Sequence, residues 1–172
     1  ETNQKFGHMV TQDELELYLV QNDCQMKNLQ RNDSIPGKIR ELNKSFQELF
    51  SPIDGYIADK ETFDSLTKDI SQNRNLLILG AAGIGKTGFI RELTTHLERT
   101  TIPHLAIRLD AFPPKTNLQD WGHDLGLPDS PVQCLRSCSP QKTAVLLLDQ
   151  LDAIRWTSNH QSSATMHMLS LI

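Results

Sequence analysis

Cysteine, aromatic residues and concentrated positive charge are all scarce in this chain of 172 residues, and each scarcity excludes something. Three cysteines cannot supply the dense disulfide framework of a small secreted domain. Cys24 is isolated, and Cys134 and Cys138 lie four apart with no Cys or His pair at zinc-ligand spacing, so free thiols are expected. The six histidines form no H-x-x-H or H-E-x-x-H pattern, which removes the common metal-centre signatures. A net charge of −4 without a dense Lys/Arg run argues against nonspecific nucleic-acid binding. No apolar stretch approaches the roughly 18 residues of a membrane span, and the first residues do not read as a secretory signal. A cytosolic protein without membrane contact is the expectation. The chain opens at Glu1 rather than at a Met, the pattern expected of a fragment or a processed product.

Against that plain background one octapeptide stands out. Gly80-Ala81-Ala82-Gly83-Ile84-Gly85-Lys86-Thr87 has the form G-x-x-x-x-G-K-[ST] and follows the apolar run Leu76-Leu77-Ile78-Leu79, which is expected to be a strand. At average residue frequencies the pattern arises by accident in a chain this long on the order of once in a hundred cases. The three glycines permit backbone angles and close approach that a Cβ would block, so successive N–H groups can curl around a phosphate. Phe89, Ile90 and Leu93 recur at helical spacing, which places a helix N-terminus beneath that phosphate. Lys86 then offers a point charge to the β- and γ-phosphates, and the Thr87 hydroxyl a ligand to Mg²⁺. The expected nucleotide contacts are Gly80, Ala81, Ala82, Gly83, Ile84, Gly85, Lys86, Thr87 and Gly88.

A second segment fits the first. Ala144-Val145-Leu146-Leu147-Leu148 reads as a strand buried on both faces of a parallel sheet, and it ends in Asp149. Ligands bind at the carboxyl edge of open α/β sheets, so Asp149 is placed to hold the water shell of Mg²⁺, as a Walker B carboxylate does. Thr87 and Asp149 are the expected metal-facing pair. The next residue, Gln150, is an amide that can orient water but cannot accept its proton. Asp152 is the nearest other acid; it either acts as a catalytic carboxylate, together with Lys86, or caps a helix starting near Ala153.

These stretches together resemble the nucleotide-binding module of a STAND-type P-loop ATPase, the signalling branch close to AAA+ that includes NACHT and NB-ARC proteins. Ile57-Ala58-Asp59-Lys60-Glu61 is similar to the family's G-R-E box, with Asp59 and Lys60 in place of Gly and Arg. Related ATPases commonly place Glu after the magnesium Asp, where this chain has Gln150. NACHT proteins carry a displaced acid in the pattern D-G-x-D-E, where this chain reads D-Q-L-D-A from Asp149 to Ala153. The resemblance implies ATP and Mg²⁺ as cofactors, slow or secondary hydrolysis, and a nucleotide-driven conformational or oligomerisation switch. It also implies effector or sensor domains in the parent protein, self-oligomerisation, and a signalling setting such as bacterial antiviral defence.

Periodicity supplies the architecture. Thr11 to Glu14 has the spacing of a capping box, with Leu15 to Leu29 able to continue as a helix. Asp33-Ser34-Ile35-Pro36-Gly37 reads as a break before an amphipathic helix bearing Ile39, Leu42, Phe46, Leu49 and Phe50. Residues 1–52 are therefore expected to be a helical extension or linker, or a helical pair packed on the core. Residues 53–172 are expected to be part of a P-loop domain. Within them come a helix with Phe63, Leu66 and Ile70 on one face, the loop and its helix to about Glu98, and a strand at 104–109. Short helices near 117–125 and 131–138 and a strand at 144–148 follow, with a last helical segment at the end. Strands alternating with helices predict an α/β fold: a three-layer P-loop NTPase core with a parallel sheet. In the AAA+ arrangement a fourth strand inserts between the Walker A and Walker B strands, so the core is expected to be truncated after the Walker B strand.

Two other function classes compete with a signalling switch. A metabolic P-loop kinase or transferase should carry an acceptor site and lid arginines, and none is evident. A nucleotide-binding scaffold without hydrolysis draws its support from Gln150. Arg108 and Asp110 either face the site or pair with each other at the strand end. Trp121 and Trp156 either stack on a base or partner or fill helix-sheet gaps.

Overall fold

The structure is a computed structural model and describes residues 11–22, 28–49, 59–81, 83–139 and 143–152. Among them are six α-helices, α1 (Gln12–Gln21), α2 (Ser34–Glu48), α3 (Lys60–Ser71), α4 (Lys86–Arg99), α5 (Leu118–Asp124) and α6 (Pro131–Ser137). Two strands, β1 (His104–Arg108) and β2 (Val145–Asp149), complete them, with a 3₁₀ turn at Leu29–Arg31. The strands pair in parallel, His104 opposite Val145 through Arg108 opposite Asp149. The described residues thus form a mixed α/β structure on a small open sheet.

Each face of the sheet is covered because the strands are apolar on both sides. Leu105 and Ile107 of β1 lie in a core with Ile35 and Ile39 of α2, Trp121 of α5 and Cys134 and Leu135 of α6, against which Leu146 and Leu148 pack. Val145 and Leu147 face the other way, onto Leu66 and Ile70 of α3 and Phe89, Leu93 and Leu97 of α4. Phe46 of α2 joins Ile90 and Ala106 on that second side. Helix α2 therefore crosses from one face to the other past the outer edge of β1.

Asn43 makes that crossing possible. In a parallel ladder with this register, the main-chain groups of Leu105 and Ile107 face β2, and those of His104, Ala106 and Arg108 face outward. Buried at 6 % exposure, the Asn43 side chain donates to His104 O at 2.9 Å and accepts from Ala106 N at 2.9 Å. One amide thus replaces a missing neighbouring strand over a full donor–acceptor pair.

Local signals set the helix boundaries. Thr11 N donates to Glu14 Oε2 at 2.9 Å and Glu14 N to Thr11 Oγ1 at 3.3 Å, a reciprocal cap that starts α1. Helix α1 stops at Gln21, short of the expected run to Leu29. The break expected at 33–37 falls earlier, because α2 already begins at Ser34. Pro36 occupies its first turn, where a missing N–H leaves no helical bond unmade. Asp59 caps α3 and Ser130 caps α6 through the main-chain N–H groups of Thr62 and Gln133. Cys134 and Cys138 are unbridged thiols on and after α6; burial pushes the Cys138 thiol up. Trp121, fully buried, donates from Nε1 to Phe112 O at 3.1 Å and so fills a helix-sheet gap.

One expected element does not form. Leu76, Leu77, Ile78 and Leu79 adopt irregular backbone and are 42, 67, 36 and 78 % exposed. A strand exists only through a ladder partner, and no described segment pairs with this run or with the outer edge of β2. Cys24, Phe50, Ile57, Ala58, Ala82, Trp156 and the last expected helical segment lie outside the described residues.

Three substitutions, one of them a control, test this packing by urea denaturation. Asn43→Ala leaves a buried donor and a buried acceptor unanswered and should cost about 2–4 kcal/mol, whereas the exposed Lys44→Ala should cost under about 0.5 kcal/mol. Equal effects would mean that the amide does not hold the edge. A Cβ at Gly122 would lie 1.9 Å from Asp129 O. Because the obstacle is main chain, Gly122→Ala should destabilise by about 1–3 kcal/mol or more, and an unchanged midpoint would refute that close approach.

Candidate phosphate-binding site

Helix α4 starts on a glycine with left-handed backbone: Gly85 at φ 90° precedes Lys86, and Gly83 two residues earlier sits at φ 82°. Both conformations disfavour a side chain. At Gly80 a Cβ would meet Ile84 Cδ1 at 2.1 Å, so the loop folds back on itself. No side chain caps the N-terminus of α4, which leaves its first main-chain N–H groups open to an anion.

Lys86 is drawn into the same turn. Its Nζ donates to Gly80 O at 2.6 Å and to Ala81 O at 2.7 Å. The ammonium therefore closes the loop as a ring from its own carbonyls. Thr87 and Gly88 are half-buried on the first turn, and the Thr87 hydroxyl makes no hydrogen bond among the described residues. Ile84 is exposed.

The topology brings Asp149 to the same end. Residues 100–103 connect the C-terminus of α4 directly to the start of β1, and α4 packs along β2 through Phe89, Leu93 and Leu97. Helix α4 thus runs against the strand direction, and its N-terminus and the loop lie toward the carboxyl edge. Asp149 ends β2 at that edge at 8 % exposure. Its Oδ1 accepts from Gln150 N at 2.9 Å, and its Oδ2 is buried with no partner among the described residues. Burial pushes the Asp149 carboxyl above its ordinary value of 3.8; the Gln150 N–H and the Arg108 charge pull the other way, and Asp110 and Asp152 add to the rise.

Neighbouring groups are arranged more plainly. Arg108 donates from Nε to Asp110 Oδ1 at 3.0 Å and from Nη2 to Asp110 Oδ2, so the two pair at the strand end. Gln150 holds φ at 62°, unusual for a residue with a side chain, and turns the chain sharply after Asp149. Asp152 is exposed in the turn that follows. Asp59 accepts from Thr62 N at 3.0 Å and from Thr62 Oγ1; these bonds hold its carboxyl below the ordinary range and occupy it as a helix cap. Lys60 and Glu61 are exposed.

Among the described residues no group of three or more His, Cys, Asp or Glu could hold a metal ion. Magnesium bound with a nucleotide needs fewer protein ligands, since it keeps waters and takes phosphate oxygens beside one or two side chains. An unpartnered carboxylate oxygen and a free hydroxyl fit that requirement. Sequence reasoning placed these residues but missed the Lys86 contacts and the left-handed Gln150, for which no local signal exists. Comparison with protein-family models, with curated proteins and with solved structures finds no match in any of the three.

The raised carboxyl has a stability consequence. A folded state that holds a carboxyl above its ordinary pKa favours the protonated form, so this contribution is complete below the ordinary value of 3.8 and is lost as pH rises from there through the raised folded-state value. Asp149→Asn should therefore raise the melting temperature of the ligand-free protein at pH 7, with the gain vanishing near pH 3. A lower Tm for the variant at pH 7 would show that Asp149 is stabilised where it sits.

Proposed function

We propose that the chain is the nucleotide-binding part of a STAND-type P-loop ATPase, binding ATP with Mg²⁺ on the 80–88 loop. The observation that carries this reading is the buried, unpartnered Oδ2 of Asp149 at the end of the sheet where α4 begins. A lone carboxylate oxygen in that position costs free energy unless a cation answers it, and evolution retains such strain where a ligand binds.

On this reading the N–H groups of the loop and of the first turn of α4 surround the β- and γ-phosphates, and Lys86 turns from its own carbonyls toward them. Thr87 and Asp149 supply ligands or water contacts to the magnesium, which neutralises phosphate charge. Gln150 cannot act as a base, so hydrolysis is slow or absent and falls to Asp152 where it occurs. Nucleotide state, rather than turnover, is then the output, and ATP must prefer one conformation or assembly for the switch to work. Gln150 also favours a second reading, a binding scaffold without hydrolysis. Among the described residues no helix is long and apolar enough to cross a membrane.

Calorimetry with Mg-ATP tests the proposal. Saturable uptake is expected, with Lys86→Ala weakening it by roughly tenfold to a hundredfold, the worth of a charge-assisted contact. Thr87→Ala should remove most of the Mg²⁺ dependence. No uptake of Mg-ATP or Mg-GTP would end the reading. Single-turnover cleavage lost only in Asp152→Asn would assign that acid to catalysis, and no cleavage in either protein would favour the scaffold.

A further inference from the structure

A second site lies on the opposite edge of the sheet, beyond the outer side of β1. There α2 stands off from the end of β1 and from the residues after α5, leaving a cavity of about 360 Å³. Leu42, Ser45 and Phe46 line one wall and Ala106, Phe112 and Leu125 the other. The volume lies within the range of small-molecule sites, which combine apolar walls with a few fixed polar groups.

The polar group here is main chain. Of the groups that β1 turns outward, His104 O and Ala106 N are answered by Asn43, and Arg108 O accepts from Phe112 N at 2.9 Å. Ala106 O lies between them, on a residue 3 % exposed, and has no partner among the described residues. A buried carbonyl left unanswered beside a cavity calls for a donor from outside the chain. Charge narrows the choice. Lys38 pairs with Glu41 at 3.0 Å, Asp124 with Lys115 at 2.8 Å and Arg108 with Asp110, so the rim charges offset one another. A charged ligand would lose its water without gaining a counter-charge.

We propose that this cavity binds a small uncharged molecule with an aromatic or aliphatic body, seated on Leu42, Phe46 and Leu125, that donates a hydrogen bond to Ala106 O. The inference is independent of the nucleotide reading, because neither the 80–88 loop nor Asp149 takes part.

Benzamide is a suitable probe, titrated into the ¹⁵N-labelled chain and followed by amide shifts. Saturable shifts at Ala106–Arg108, Phe112, Leu125 and Gly126 are expected. N,N-Dimethylbenzamide, which keeps the ring but lacks the donor, should bind about tenfold more weakly, the worth of one hydrogen bond to a buried carbonyl. Benzoate should bind no better. Ser45→Trp, which fills the cavity from an exposed helix position, should abolish the shifts. Absence of saturable shifts, or equal binding of the two amides, overturns the proposal without any variant. Shifts that persist in a folded Ser45→Trp protein would also overturn it.

Discussion

Main-chain hydrogen bonding at the borders of a two-stranded parallel sheet is the constraint on which this structure rests. Apolar burial holds β1 and β2 between helices, but every outward N–H and C=O of those strands still needs an answer. On the β1 side α2 supplies it through Asn43, and the same helix carries Ile35 and Ile39 into one core and Phe46 into another. On the β2 side no described segment does so. The two borders thus differ in chemistry. One is bridged at His104 O and Ala106 N by the Asn43 side chain and at Arg108 O by Phe112 N, and Ala106 O is where a small donor is proposed to bind. The other has no described segment along it.

The proposed nucleotide site depends on this layering rather than on its own contacts. Helix α4 is aimed by Phe89, Leu93 and Leu97 against β2, and its direction is fixed by the short link from Arg99 to His104. Aim and direction set the glycine loop and Asp149 at one end of the sheet. Neither the Asp149 carboxylate nor the open N-terminus of α4 stabilises the ligand-free fold, since one is desolvated and the other uncapped. The desolvated carboxyl opposes stability locally, and on the proposed reading the two features take opposite charges, a cation on Asp149 and an anion on α4.

Much of this was legible in the sequence wherever the signal was local. Apolar periodicity put α5, α6, the end of α4 and both strands within a residue or two of where they lie, and it named the apolar face of α3 without its bounds, because such patterning acts over a few residues. The 76–79 run was misjudged for the opposite reason: apolar composition says that a segment wants burial, not that a partner is present. Asn43 carried a readable clue, a polar residue inside the apolar stripe Ile39, Leu42 and Phe46, but its partners lie 61 and 63 residues away. For the site, the glycines and Lys86 were evident by type, whereas the carbonyls that hold Lys86 and the turn at Gln150 emerge only in three dimensions.

The distance between Asn43 and its partners also bears on how the chain is made. At about 5–20 residues per second, a ribosome that has just emitted Asn43 needs roughly 3–12 s more to deliver His104 and Ala106. During that interval Ile35, Ile39 and Phe46 lack the β1 residues they pack against in the fold, and the Asn43 amide has only water to bond. Until β1 has been translated, that apolar face is open to wrong partners, the situation in which chaperones act.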